Sequence, residues 1–517
     1  MSIPSILHSQ SVRQASIIIA VATVASQLLG IVREAVVGYY FGTSAEYDIL
    51  LMAMTLPVML GGILFVSIPS AGIPFLQKEP LSGSAWQVFR SSFFQVNTVL
   101  IVLVTAAVFL TLPALKGLLA PNMGPEAAEQ VVRWGRVFCL IVPLRAYEAL
   151  FRTLLHLRRH FIMPTLAPVL FNLVMIVGLV ALFPSLGSVA FVTVWLIGMA
   201  LQVIIVGIPA LIMTRRAVST AGTGAGPSGL FDPVFMRYLS LVVLVETMLL
   251  VVDPFDRYLA GVFLETGYVS ATAYANVIYQ VPVRALIYSM ATAIFPAISQ
   301  HVAGHQLQSA AAMYHRSLAL CALFVIPTAA LLFLYRAEIV MLLFERGRFD
   351  DVSRTITTEI LAWYLIGMVF AAAFLVQSRM MYALRAIRSL MMVRVIGFGI
   401  KAIIGFWLIG ENWALAIGGG TAVMFFFCFV IVELHLVTTM KIAYSWADLS
   451  LLARVISAVL LTVVIMLAVD FALDTWTRLP RTVGLFVTAA ATGLTVLIAD
   501  TRGGFTGINW RRARARS

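Results

Sequence analysis

Several ionisable side chains sit inside stretches that are otherwise apolar enough to cross a membrane, and their spacing is helical. Thr23, Ser26, Gln27, Gly30, Arg33 and Glu34 recur at intervals of three, one, three, three and one, which puts them on one helix face. Arg145, Glu148, Arg152 and Arg159 share a second face, and Glu246, Asp253, Asp256 and Arg257 fall in a third stretch. Arg394 and Lys401 lie seven apart with Gly397 between them, Asp48 opens the second apolar run, and Arg284 follows Pro282. A charge in hydrocarbon costs at least a few kcal/mol, so each of these groups must face protein or a water-filled cavity. The planar guanidinium fork donates two parallel hydrogen bonds to a phosphate, and the chain carries 31 Arg against four Lys. The chemistry suggested is the holding of an anionic group inside a membrane protein. Simpler roles stand beside it. Arg33–Glu34 and Asp256–Arg257 can neutralise each other and only set helix packing. Arg394 and Lys401 can pair with the stretch around residue 250 or cover a lipid groove. Arg158, Arg159 and Arg385, near run ends, read as headgroup anchors.

The elements that must position these groups are transmembrane helices. Of 517 residues, 61% are hydrophobic and only 11% charged, and mean hydropathy is +0.99. No soluble enzyme, disordered chain or disulfide scaffold has that balance, and long apolar runs argue against a β-barrel. Fourteen spans are expected, near 16–40, 48–76, 92–113, 131–157, 164–183, 188–213, 236–262, 270–298, 311–335, 357–384, 390–409, 413–437, 450–472 and 481–499. The even-numbered connections carry Lys78, Arg90, Arg158, Arg159, Arg215, Arg216, Arg316, Arg385, Arg388 and Lys441, while connections 41–47, 184–187, 263–269 and 410–412 carry no Lys or Arg. The positive-inside rule then places both termini in the cytoplasm. Segment 336–356 mixes four arginines with four acids and reads as an amphipathic surface element. The net charge of +12 divides between these loops, the tail arginines Arg502, Arg511, Arg512, Arg514 and Arg516, and the charges within spans. Cys139, Cys321 and Cys428 all lie in apolar runs and read as small core residues. The N-terminus has no short apolar segment with a cleavage site, so no cleaved signal is expected.

The low-complexity stretch around STAGTGAGPSGLFDP falls midway through the first twelve spans, and Arg152-x4-Leu157-Arg158 recurs 227 residues later as Arg379-x4-Leu384-Arg385. The fold class expected is therefore an all-α polytopic membrane protein of about 14 transmembrane helices, with two pseudo-symmetric six-helix lobes plus two C-terminal helices. The boundaries are 1–216 for the first lobe, 217–233 for a linker, 234–440 for the second lobe, 441–500 for the last two spans and 501–517 for a basic tail. Pro57, Gly61, Gly62, Pro69 and Pro74 are expected to break span 2, Pro143 span 4, and Pro282 and Pro296 span 8. There is no P-loop, no G-x-S-x-G elbow, and no acid completing a metal site with His301 and His305, so neither an enzyme nor a cofactor is expected.

Three stretches resemble the MurJ/MviN family of lipid II flippases, within the multidrug/oligosaccharidyl-lipid/polysaccharide exporter superfamily. Leu29-Gly30-Ile31-Val32-Arg33-Glu34, then Tyr40-Phe41-Gly42 and Asp48, resembles the family's L-G-x-x-R-D…F-G…D-A-F. Arg159-His160-Phe161-Ile162-Met163-Pro164 through Ala167-Pro168 to Asn172 is similar to R-F-x-x-P-x-x-A-P-x-x-x-N. Leu343-Phe344-Glu345-Arg346-Gly347-Arg348-Phe349, then Tyr364, Gly367 and Tyr382-Ala383-Leu384, is similar to L-F-E-R-G-x-F…Y…G…Y-A-L. The resemblance runs from about residue 15 to 440. It implies translocation of an undecaprenyl-diphosphate-linked peptidoglycan precursor across the bacterial inner membrane by alternating access, with a lipid-tail groove on the last two spans. Partners would be that anionic lipid and the bilayer, with no nucleic acid, and the chain would act as a monomer.

The resemblance maps a diphosphate-binding arginine onto Arg33 and an acid onto Asp48. It fails elsewhere. After Pro57 the family's arginine pair is missing, and where the family has Y-A-D-R-x-x-E-F-P this chain reads Tyr274-Ala275-Asn276-Val277-Ile278-Tyr279-Gln280-Val281-Pro282. The substrate-binding candidates are Arg33, Arg257, Arg284, Asn276 and Gln280. The gating or charge-pairing candidates are Glu34, Asp48, Asp256, Glu246 and Asp253. Alternatives are a flippase for another lipid-linked oligosaccharide, a cation-coupled drug antiporter using Glu246 and Asp253, and a scaffold that has lost transport.

Overall fold

A computed structural model describes residues 12–76, 94–120, 123–158, 160–218, 233–442, 444–476 and 480–503. The expected linker centre, the tail beyond residue 503, Lys78, Arg90 and Arg159 lie outside them. The described residues form helices and connecting turns, with no strand among them. In chain order the α-helices longer than one turn are α1 (Val12–Phe41), α2 (Ala45–Leu76), α3 (Phe94–Thr111), α4 (Pro125–Phe138), α5 (Ile141–Leu157), α6 (Ile162–Leu186), α7 (Ser188–Val218), α8 (Pro233–Leu250) and α9 (Val252–Phe263). There follow α10 (Tyr268–Pro282), α11 (Ser289–Ala303), α12 (Leu307–Leu334), α13 (Arg336–Phe344), α14 (Asp351–Ala383), α15 (Ile387–Leu408), α16 (Gly420–Thr438), α17 (Trp446–Trp476) and α18 (Arg481–Gly503).

Eleven helices among the described residues are long and apolar enough to cross a membrane. The other three expected spans are interrupted. Span 4 is α4 followed by α5, of 14 and 17 residues, or roughly 21 and 26 Å at 1.5 Å per residue. Span 7 divides into α8 and α9 at Val251, just ahead of Asp253-Pro254. Span 8 passes from α10 through a π-helical turn, Val283–Tyr288, into α11. Proline 282 has no N–H for the α-helical ladder, and the wider π turn follows it directly. Span 2 corrects the proline expectation, because α2 runs unbroken for 32 residues through Pro57, Pro69 and Pro74. Pro57 removes the usual donor to the Ala53 carbonyl, and that oxygen lies 3.5 Å from where a Cβ on Gly135 of α4 would stand. Helix α4 therefore packs directly against α2 at this turn.

Contacts divide the chain into two compact units, residues 1–270 with 346–349, and 271–345 with 350–517. In the first, α2 packs on α4, α5 and α8, and α6 on α1 and α7. Its core includes Leu64, Ile68, Val142, Ala146, Ala149 and Leu150. In the second, α14 packs between α12 and α16, and α17 lies along α12 and α18. Ala319, Leu323, Val455 and Val459 form the seam between α12 and α17. Tyr335, beyond the end of α12, donates its hydroxyl to Asp470 Oδ1 of α17 at 2.6 Å and lies 2.9 Å from Thr488 Oγ1 of α18. Leu110, Val177, Ile403, Trp407, Leu460 and Phe471 are all exposed, as lipid-facing side chains are and as those of a soluble protein are not.

The mixed segment 336–356 is ordered by its own charges. Asp350 caps α14, accepting from Ser353 N at 2.9 Å and from its hydroxyl at 2.7 Å. Arg354 bridges Glu345 at 2.8 Å and Asp351 at 2.9 Å. The expected amphipathic surface element is a short helix, α13, followed by this ionic turn.

Candidate functional site

Arg33 lies two turns before the end of α1, a helix whose polar residues share a face. Its Nε donates to Glu34 Oε1 at 3.1 Å, with Nη2 on the same oxygen, and Nη1 donates to Asn172 Oδ1 at 3.0 Å. Asn172 is fixed in turn, because its amide donates to the Ser26 carbonyl at 2.9 Å. Phe171 and Trp195 hold their rings 5.6 and 5.8 Å from the guanidinium carbon. Every α1 group in this cluster comes from the polar stripe, and the partners come from α6 and α7. The side chain retains 19% exposure, so the fork is oriented by its neighbours and still accessible.

Tyr47, the neighbour of Asp48, is 3% exposed and stacks on Phe41 with ring centroids 5.1 Å apart. Tyr47 itself was not singled out from sequence, where only its place beside Asp48 sets it apart. Asp48, 2% exposed, accepts from Gly267 N at 2.5 Å and from Ser270 N at 2.8 Å, which makes it a cap on the chain entering α10. Asp256 is buried on α9, Arg257 and Asp253 are half-buried there, and Glu246 is half-buried on α8.

The remaining candidates belong to the second unit. Arg284, exposed in the π turn, donates from Nε to Gln280 Oε1 at 2.9 Å, and Gln280 donates to Asn276 Oδ1 at 3.3 Å. The three form a ladder at four-residue spacing. Lys401, fully buried on α15, donates to Thr421 Oγ1 and to the Ile417 carbonyl at 3.3 Å, at a second π turn, Leu415–Gly419. Arg394 reaches Tyr382 OH at 3.4 Å. One carboxylate of this unit escaped sequence reading. Glu433 on α16 accepts from the hydroxyls of Tyr314 and Tyr444, each at 2.5 Å, and from Gln377 at 2.8 Å.

Motifs separated in sequence also meet through the backbone. Arg348 N donates to the Tyr39 carbonyl at 3.0 Å. Gly42 and Gly347 both have left-handed φ, +55° and +64°, and each packs its bare Cα against the other strand of this contact. A Cβ on Gly42 would stand 2.2 Å from the Arg348 carbonyl oxygen, and one on Gly347 would stand 2.3 Å from that of Tyr39. The first motif therefore touches the second at Arg33–Asn172 and the third at Tyr39–Arg348.

Residues 37–485 match the family described as "Lipid II flippase MurJ". The chain belongs to the MurJ family. A "Probable lipid II flippase MurJ" of Rhizobium meliloti (strain 1021) is 27% identical over 366 residues, 67% of this chain and 66% of that one. Its namesake in Aquifex aeolicus (strain VF5) is 25% identical over 377 residues, 70% of each chain. The matched stretch thus spans about two thirds of these relatives' own length. Among solved structures, "Lipid II flippase MurJ, inward closed conformation" aligns with a TM-score of 0.72 at 18% identity, over 94% of this chain and 98% of that one. A MATE transporter in complex with MaL6 aligns at 0.59 with 14% identity, over 85% and 99%. The fold is thus that of MurJ and, at greater distance, of MATE transporters.

Proposed function

We propose that this MurJ-family chain is a flippase that carries lipid II, an undecaprenyl-diphosphate-linked peptidoglycan precursor, across the bacterial cytoplasmic membrane by alternating access. The observation that carries the reading is Arg33. It is a guanidinium inside an apolar span, set by Glu34, Asn172 and two aromatic rings, with part of its surface open to a ligand. A planar fork held in this way suits a phosphoryl oxygen pair and gives a small cationic drug nothing to bind. That favours an anionic lipid over the antiporter alternative. Arg257 and Arg284 are the next candidates for the diphosphate. Glu34 orients Arg33, Asp48 and Asp256 support the same unit, and Asn276 and Gln280 orient Arg284. The lobes 1–216 and 234–440, the tail groove on α17 and α18, cytoplasmic termini and a monomeric state complete the reading. The chain moves its substrate without altering it, as a transporter rather than an enzyme.

Complementation of a strain depleted of its own lipid II flippase is the direct test. Growth and cell shape are restored by the wild-type chain and lost with Arg33→Ala at equal membrane abundance. Failure of the wild type to rescue, with export of another lipid-linked oligosaccharide, would move the substrate to that class.

A further inference from the structure

The second polar face noted in the sequence, on span 4, is used by nothing described so far. On α5, Val142, Ala146, Ala149 and Leu150 pack into the core against Leu64 and Ile68 of α2. Arg145, Glu148 and Arg152 line the flank of that stripe. The Glu148 side chain is 2% exposed and serves both arginines, at 3.6 Å from Arg145 Nη1 and 2.8 Å from Arg152 Nη2. One buried carboxylate thus holds two guanidinium groups on the same helix flank. The guanidinium carbons of Arg145 and Arg152 lie 5.0 and 4.6 Å from the centroid of a single ring, Phe65 of α2. Helix α2 has no Arg or Lys of its own. Gly61 lets α5 come close, with the Arg145 Cβ 3.4 Å from where a glycine Cβ would stand.

Two forks are therefore aimed by one ring and one carboxylate. They remain open, with 32% and 20% of the Arg145 and Arg152 side chains exposed. Arg152 Nε is buried and has no hydrogen-bond partner among the described residues. Two partly exposed guanidinium groups held side by side suit an anion with more than one acceptor oxygen. We infer that Arg145 and Arg152, set by Glu148 and Phe65, form a second binding site for the diphosphate of a lipid-linked substrate, separate from Arg33. The inference rests on the flippase reading for its ligand. Two linked phosphoryl groups supply acceptors for two forks, which one phosphate does less well.

Arginine modification by phenylglyoxal, read residue by residue by mass spectrometry on the full-length wild-type chain in nanodiscs, tests this without a variant. Undecaprenyl diphosphate is expected to slow modification of Arg145 and Arg152 about tenfold, the scale of one charge-assisted hydrogen-bond set. Lack of protection overturns the inference. So does equal protection by cardiolipin, which would make the pair a general lipid contact, or protection by free pyrophosphate alone. Binding of the same lipid to Arg152→Gln is expected to weaken about tenfold, with undecaprenyl monophosphate affected less and Arg152→Lys recovering part of the loss. Equal loss for both lipids points to a structural role and contradicts the site. The two readings separate cleanly. Wild-type flipping of lipid II without protection at Arg145 and Arg152 removes this site alone, whereas protection without flipping removes the flippase reading alone.

Discussion

Arg33 on α1 and Asn172 on α6 stand 139 residues apart and meet through a 3.0 Å hydrogen bond from Nη1 to Oδ1. Asn172 spends its amide on the Ser26 carbonyl, so it ties the guanidinium to the backbone of the helix that carries it. Asn172→Ala removes this tie and leaves Glu34 as the neighbour closest to Arg33. Lipid II flipping is expected to fall about tenfold, since a hydrogen bond to a charged group contributes about 1.5–3 kcal/mol. Asn172→Asp should also impair flipping, because a second carboxylate competes with the substrate for the fork. Initial flipping rates in proteoliposomes, corrected for reconstituted protein, check both.

Asp48 acts on the backbone. Its two carboxylate oxygens take the Gly267 and Ser270 N–H groups. Asp48→Ala should lower stability by about 1–3 kcal/mol, the cost of leaving buried donors unmet, and Asp48→Asn by less, since one amide oxygen can still accept. The order Ala below Asn below wild type in detergent thermal melts is the expected result. A carboxylate acting only as a gate would change transport and leave the melts alone.

The contact between the first and third motifs depends on two glycines with left-handed backbone. Gly42→Ala adds strain at φ +55° and drives a methyl into the Arg348 carbonyl, so folded protein should drop sharply. Gly399→Ala is the control, because a Cβ there meets nothing within 4 Å, and a helical alanine is expected to be neutral or mildly stabilising. Yield of monodisperse protein for the two variants measures the difference.

Asp350 gives a pH dependence of known sign. The backbone N–H and hydroxyl of Ser353 hold its carboxyl below the usual carboxylate range. A group with a lowered folded value stabilises above its unfolded value, about 3.9, and loses that contribution as pH falls through the folded one. Asp350→Ala should therefore melt lower than wild type at pH 7, with the gap closing below about pH 4. A gap independent of pH would mean that the cap does not act through its charge.

Much of the architecture is legible in the sequence, because a run of apolar residues long enough to span hydrocarbon has few other fates. Hydropathy cannot reveal that spans 4, 7 and 8 are interrupted. The interruption at Val251 leaves the window as apolar as before. Proline is a partial guide: Pro282 directly precedes the π turn of span 8, as its missing N–H predicts, whereas Pro57 sits in an unbroken helix. Among candidate site residues, helical spacing put Arg33 and Glu34 on one face, and family resemblance selected Arg33. The capping role of Asp48 was hidden, since its donors lie 219 and 222 residues away. Glu433 was missed because three of its partners come from other segments.

The central claim is that a lipid-linked diphosphate crosses the membrane on this chain by way of Arg33. Purified protein reconstituted with lipid II in liposomes measures it, by following the loss of inner-leaflet lipid II as it becomes accessible to an external enzyme. The account predicts rapid exposure with the wild type and a rate near that of empty vesicles for Arg33→Ala, with the variant folded as judged by its melt. Full flipping by Arg33→Ala would contradict it.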